Sequence, residues 1–127
     1  MLFDEKGYLK PYEIIPTTLE TFKTYFVFNE QRERIFQSYL NFLDILQNAS
    51  SDHFYQWLDG SFVSKKPFPN DLDLVNFVDY QFYRKFESRI RAWEYEFRGK
   101  ILMLIQFPFI QIPILSNTLQ FTVKMKN

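Results

Sequence analysis

Residues 58–78 read LDGSFVSKKPFPNDLDLVNFV, and the way this stretch folds decides how the rest of the chain is arranged. An apolar run ends in Gly60-Ser61, gives way to a basic loop punctuated by Pro67 and Pro69, and returns as Asp71-Leu72-Asp73-Leu74-Val75 at the head of a second apolar run. Before it, HFYQWLDG is short, aromatic and closed by Gly60, which predicts a strand; DLDLVNFVD predicts the next. On an extended chain Asp71 and Asp73 project from the same face, since successive side chains alternate. Two like charges on one face call for something that neutralises them.

Working outward, Thr17 with Glu20 three residues later has the spacing of a capping box, and a short helix over Leu19–Phe26 follows. Asn29 precedes a helix of about 20 residues, in which Phe36, Leu40, Leu43 and Gln47 form one stripe with Ile35, Tyr39, Phe42 and Leu46 alongside. Downstream of the second strand, Asp79 is placed to cap a helix in which Tyr83, Phe86, Ile90, Trp93 and Phe97 recur at spacings of three and four, with Gly99 as its stop. KILMLIQF then reads as a third strand, and its near-continuous apolar run predicts burial on both faces. This order predicts an α/β (α+β) domain with a small mixed sheet of about three strands flanked by helices. One domain spanning 1–127 is expected, with an atypical, altered or truncated segment from about residue 99.

Composition narrows the function classes. Fifteen basic and fifteen acidic residues cancel, so no whole-molecule field recruits nucleic acid or an anionic membrane. The absence of cysteine excludes disulfides, thiolate zinc sites and cysteine nucleophiles, and is compatible with a cytoplasmic setting. His53, the single histidine, cannot build a multi-histidine metal site and reads as a surface residue before a strand. The N-terminus MLFDEKGYLK carries acid where a secretory signal has a basic region and an apolar core. The most apolar stretch, Ile101 to Leu115, spans 15 residues and is interrupted by Gln106, Pro108, Gln111 and Pro113, short of the roughly 20 apolar residues of a membrane-spanning helix. No membrane partner is expected. That apolar ending instead predicts self-association or a partner protein.

The chemistry of the opening stretch follows from its donors. Mg²⁺ takes oxygen ligands and is usually held by one or two carboxylates together with substrate phosphates. Asp71 and Asp73 supply two carboxylates. Gly60 permits close backbone approach, Ser61 adds a hydroxyl, and the residues after them offer N–H groups to a phosphate if they begin a helical turn. Lys65 and Lys66 are placed to screen a triphosphate. By contrast, Trp57, Trp93 and the phenylalanine stripe read as core rather than as base-stacking platforms.

At these residues the sequence resembles the nucleotidyltransferase superfamily with the polymerase-beta-like fold. Its signature is an apolar residue, Gly-Ser, a loop, and Asp-x-Asp flanked by apolar residues. Here that is Leu58, Gly60, Ser61, nine intervening residues, and Asp71-Leu72-Asp73-Leu74-Val75. Small bacterial minimal nucleotidyltransferases of toxin–antitoxin pairs, and relatives opening with a GYLKP-like segment, are the most similar in pattern; the resemblance covers about residues 1–98. It implies that Asp71 and Asp73 hold Mg²⁺ and an NTP, with ATP foremost, and that Gly60 and Ser61 contact the phosphates. A nucleotidyl group would pass to an acceptor hydroxyl. The pattern departs from the family at one point: family members place a third carboxylate on the strand after the second-motif helix, whereas every acidic residue here lies at or before Glu96. Three explanations follow: an inactive member, an altered tail, or a ligand from elsewhere, such as Asp79 or a partner chain. Asp79 lies six residues past Asp73, about 20 Å along an extended strand, which suits a helix cap better than a metal ligand. The sequence thus supports a Mg²⁺-dependent nucleotidyltransferase, or a non-catalytic nucleotide-binding or interaction module such as one component of a toxin–antitoxin-like pair.

Overall fold

The computed structural model describes residues 2–10, 14–49, 55–78, 80–106 and 120–124. A hairpin of β1 (Leu2–Phe3) and β2 (Leu9–Lys10) opens the chain. Its turn is held by Asp4, whose Oδ1 accepts from the backbone N–H groups of Lys6 and Tyr8. Then come β3 (Ile14–Thr17), α1 (Leu19–Phe26), α2 (Glu30–Ala49), β4 (Tyr55–Asp59), a 3₁₀ turn over Gly60–Val63, β5 (Leu72–Phe77), α3 (Tyr80–Glu96), β6 (Ile101–Gln106) and β7 (Gln120–Lys124). The mixed α/β class is the expected one. The three expected strands stand side by side, and two more widen the sheet to the order β3-β7-β4-β5-β6. β4 runs antiparallel to β5 and β7, while β5 pairs with β6 in parallel and β3 with β7 in parallel. Parallel neighbours need a long crossover, which α3 provides between β5 and β6.

Strand alternation divides β5 between two environments. Leu72, Leu74 and Asn76 share one face, and all three are buried. Register sets Leu58 of β4 and Met103 of β6 on either side of Leu74. Both long helices cover this face: Phe42 and Leu46 of α2, Phe82 and Trp93 of α3, Asn76 and Met103 line a common internal void of about 10 Å³. Between α2 and the sheet a buried polar chain replaces apolar contact. The Tyr39 hydroxyl donates to Gln56 Oε1 (2.7 Å), and Gln56 Nε2 donates to Asn76 Oδ1 (2.7 Å). Packing against α1 is aromatic, with Phe22 within 6.4 Å, ring centre to ring centre, of Phe26, Phe36, Tyr39 and Phe62. Asp73 and Val75 therefore belong to the face opposite the long helices.

Three local expectations need correction. The cap of α1 is Thr18, whose Oγ1 accepts from the Thr21 N–H at 3.1 Å, not Thr17; the helix bounds are unaffected. Among the described residues β6 is an edge strand rather than one buried on both faces: Ile101 and Met103 are buried, but Leu102 between them is 53% exposed. The unbroken apolar composition concealed an alternation that its edge position imposes. In α3 the stripe changes phase at Phe86 (φ −112°, ψ 16°), so that Phe82 is buried at the start of the helix where Tyr83 was expected, with Ile90 and Trp93 buried beyond the kink. Asp79, His53 and residues 107–119 of the apolar ending lie outside the described residues.

Candidate functional site: carboxylates and a glycine turn opposite the helices

The Gly-Ser turn and the Asp-x-Asp segment come together through the pairing of β4 with β5. Asp59, the last residue of β4, lies directly across from Asp73, so these two carboxylates share the face opposite the helices. The chain then leaves the sheet through Gly60 at φ +79°, a conformation glycine adopts without steric cost. There Gly60 rests against the Asp73 carboxylate: a Cβ on Gly60 would come within 2.5 Å of Asp73 Oδ2. Asp59 Oδ1 accepts the Gly60 N–H at 2.9 Å and caps the 3₁₀ turn that carries Ser61. The expected helical turn begins here, at Gly60; its i→i+3 bonds take the Phe62 and Val63 N–H groups and Asp59 takes that of Gly60.

Asp71, one residue before β5, completes an acidic group with Asp59 and Asp73. Burial, the charge of Asp71, a hydrogen bond to it, and the charge of Asp59 together push the Asp73 carboxyl up to about 7. Burial also raises Asp59, against the pull of the Gly60 N–H. Sequence reasoning sought a third carboxylate beyond α3 and missed Asp59, although it directly precedes the Gly-Ser pair. Only the β4–β5 register brings it to Asp73. The corresponding position on the other side is apolar, since Leu102 of β6 is the register partner of Asp73.

The donor set suits a hard cation, in that crowded carboxylates of which one is protonated near neutrality are the groups a divalent ion would relieve. Among the described residues no three metal-ligating side chains are arranged to hold an ion. The residues that could hold such an ion are therefore two carboxylates, Asp71 and Asp73. Asp71 also borders a cleft of about 470 Å³, lined by Arg91, Tyr95, Arg98 and Leu102 among others.

The lysines are placed differently from the carboxylates. Lys65 Nζ sits over the rings of Phe3 (4.4 Å) and Phe28 (5.2 Å), while its backbone N–H donates to Gly7 O at 2.9 Å. That ties the N-terminal hairpin to the loop. Lys66 is exposed, and its carbonyl accepts from Arg32. The ion pairs among the described residues are Arg34–Glu30 and Arg91–Glu87, both on helix surfaces, so neither lysine is paired with Asp71 or Asp73.

A second residue escaped the sequence reading. Arg32, in the first turns of α2, is fully buried. Its guanidinium donates to the carbonyls of Phe26 (2.8 Å), Phe62 (2.7 Å), Ser64 (2.9 Å) and Lys66 (2.5 Å), and at 3.5 Å to that of Ser61. The rings of Phe28 and Phe62 lie 4.2 and 4.7 Å from its centre. Burial lowers its pKa to about 10, which leaves it charged at neutral pH.

The profile of a family of unknown function, DUF6932, matches residues 1–120. The chain belongs to that family. The match to DUF6932 takes in the hairpin, the Gly-Ser turn, the three carboxylates and β6, and runs on past Gly99. No curated protein and no solved structure matches the chain.

Proposed function

We propose that this member of DUF6932 is a nucleotidyltransferase-like protein that binds a Mg²⁺-complexed NTP, ATP foremost, at Asp71, Asp73 and the Gly60-Ser61 turn. One observation carries the reading: Gly60 packs on the Asp73 carboxylate, so the two halves of the motif, with nine residues between them in sequence, form one surface. Asp71 and Asp73 would hold the ion; the ion, when bound, would neutralise phosphate charge and orient the triphosphate. Ser61, through its hydroxyl and backbone N–H, would take phosphate oxygens. Asp59, the register partner of Asp73, would accept the proton of an acceptor hydroxyl attacking the α-phosphate in line, with pyrophosphate leaving.

The test is calorimetric titration with Mg-ATP of the parent chain and of Asp71→Asn and Asp73→Asn. Each substitution should weaken binding at least tenfold with the circular-dichroism spectrum unchanged, because both carboxylates are part-exposed and outside the helix-packed core. Ser61→Ala should do less, since the backbone N–H of residue 61 survives it. Unchanged affinity in both Asn variants would remove this reading.

Leu102 favours a second reading. It stands beside Asp73 where the nucleotidyltransferase resemblance expects a carboxylate, which supports a module that binds Mg-NTP without turnover. Positioned base catalysis contributes roughly 10²- to 10⁴-fold, so binding and transfer would separate. Incubation with labelled NTPs, Mg²⁺ or Mn²⁺ and a lysate as acceptor pool distinguishes the two. Labelling that vanishes in Asp71→Asn supports the enzyme; Mg-ATP binding without labelling supports the module.

A further inference from the structure

We infer that Arg32 is a positioning residue: from the hidden side of the Gly-Ser turn it sets the backbone that meets Asp73 and, on the function proposed above, the nucleotide. Its partners are unusual for an arginine. A buried guanidinium is ordinarily matched by a carboxylate, yet Arg32 forms no ion pair among the described residues and spends its donors on backbone carbonyls. Four of those carbonyls, of Ser61, Phe62, Ser64 and Lys66, belong to the turn and loop that follow Gly60.

Peptide geometry gives this arrangement a direction. In a trans peptide the C=O of one residue and the N–H of the next point opposite ways. Carbonyls of Ser61, Phe62 and Ser64 drawn inward to Arg32 therefore turn the N–H groups of Phe62, Val63 and Lys65 away from it. All three are accounted for: the i→i+3 bonds of the 3₁₀ turn take the Phe62 and Val63 N–H groups, and Lys65 N–H reaches Gly7 O. The planar fork of arginine can serve several carbonyls at fixed angles, which a lysine ammonium on a flexible stem cannot. Neighbouring residues extend the same clamp along the loop. Asn29 Nδ2 donates to Pro67 O at 2.5 Å and Gln31 Nε2 to Pro69 O at 2.7 Å. The start of α2 thus holds the loop from Ser61 to Pro69 in place, and Gly60, one residue upstream, rests on Asp73.

The experiment compares Arg32→Lys with Tyr39→Phe, a substitution in the same helix that breaks the Tyr39–Gln56 bond but touches neither the turn nor the loop. Both should lower the unfolding midpoint. At a temperature where both are folded, Arg32→Lys should weaken Mg-ATP binding at least tenfold while Tyr39→Phe leaves it unchanged. Amide exchange of residues 60–66 should quicken at least tenfold relative to α2 in Arg32→Lys alone. An Arg32→Lys protein that is destabilised yet binds Mg-ATP like the parent, with exchange at 60–66 no faster than in Tyr39→Phe, would overturn the inference. If the parent itself binds no Mg-ATP, the proposed function falls, and the exchange comparison alone decides whether Arg32 sets the turn.

Discussion

Asp73 is where chemistry and stability pull in opposite directions. Its carboxyl is raised from 3.8 to about 7 in the fold, first by burial and then by Asp71 and Asp59. A raised acid binds its proton more tightly folded than unfolded, so its stabilising contribution is complete below pH 3.8 and is lost as the pH climbs through about 7. The apo protein should lose thermal stability between pH 4 and 8, and Asp73→Asn should flatten that profile and be at least as stable as the parent at pH 8. Added Mg²⁺ should raise the parent's melting temperature more at pH 8 than at pH 5; a pH-independent melting temperature in the parent would contradict this account. Gly60 gives a sharper contrast at the same scale. Both Gly60 (φ +79°) and Gly99 (φ +91°) are in the left-handed region, which costs a side-chain-bearing residue about 1–2 kcal/mol. A Cβ on Gly99 meets nothing within 4 Å, whereas one on Gly60 strikes Asp73 Oδ2. Denaturant unfolding should show a loss for both alanine variants, larger for Gly60→Ala, and only Gly60→Ala should also reduce Mg-ATP affinity.

At the scale of elements, α2 joins the two functions of the fold. Its middle is pinned to the sheet by Tyr39, Gln56 and Asn76, and its start grips the Gly-Ser loop through Asn29, Gln31 and Arg32. Tyr39→Phe removes the hydroxyl that Gln56 Oε1 accepts from, leaving a buried acceptor without that donor. The expected loss is about 1–3 kcal/mol in urea unfolding. A change below a few tenths would mean that water or another group replaces the hydroxyl. The periodicity of α2 was largely legible in the sequence: of the expected stripe, Ile35, Phe36, Tyr39, Phe42, Leu43 and Leu46 are buried, whereas Leu40 is half-buried and Gln47 exposed. Arg32 lies on that same buried side, but a charged residue in a first helical turn reads as solvent-facing, and nothing local reveals carbonyls arriving from thirty residues away.

For the whole molecule, the sheet formed by the described residues ends in β6 on one side, with Leu102 53% exposed. An edge strand offers unpaired backbone groups, and an apolar one invites association. Self-association through the chain after Ile101 is therefore expected, as a concentration-dependent rise in sedimentation coefficient that Leu102→Lys reduces. A single monomeric species at high concentration would count against it. None of the described helices is long and apolar enough to cross a membrane.

What the sequence determined by itself was local. Hydrophobic period and glycine stops located three helices and three adjacent strands of the sheet, and the Asp-x-Asp spacing put two carboxylates on one face, because these depend on residues a few positions apart. Strands β3 and β7 were not anticipated: β3 is four residues long and contains Pro16, and its pairing with β7 joins residues about a hundred positions apart in the chain. The edge position of β6, the placing of Asp59 opposite Asp73 and the burial of Arg32 were decided only by tertiary structure. Register and strand order are set by long-range pairing, and whether a charge is buried depends on which distant backbone arrives to solvate it.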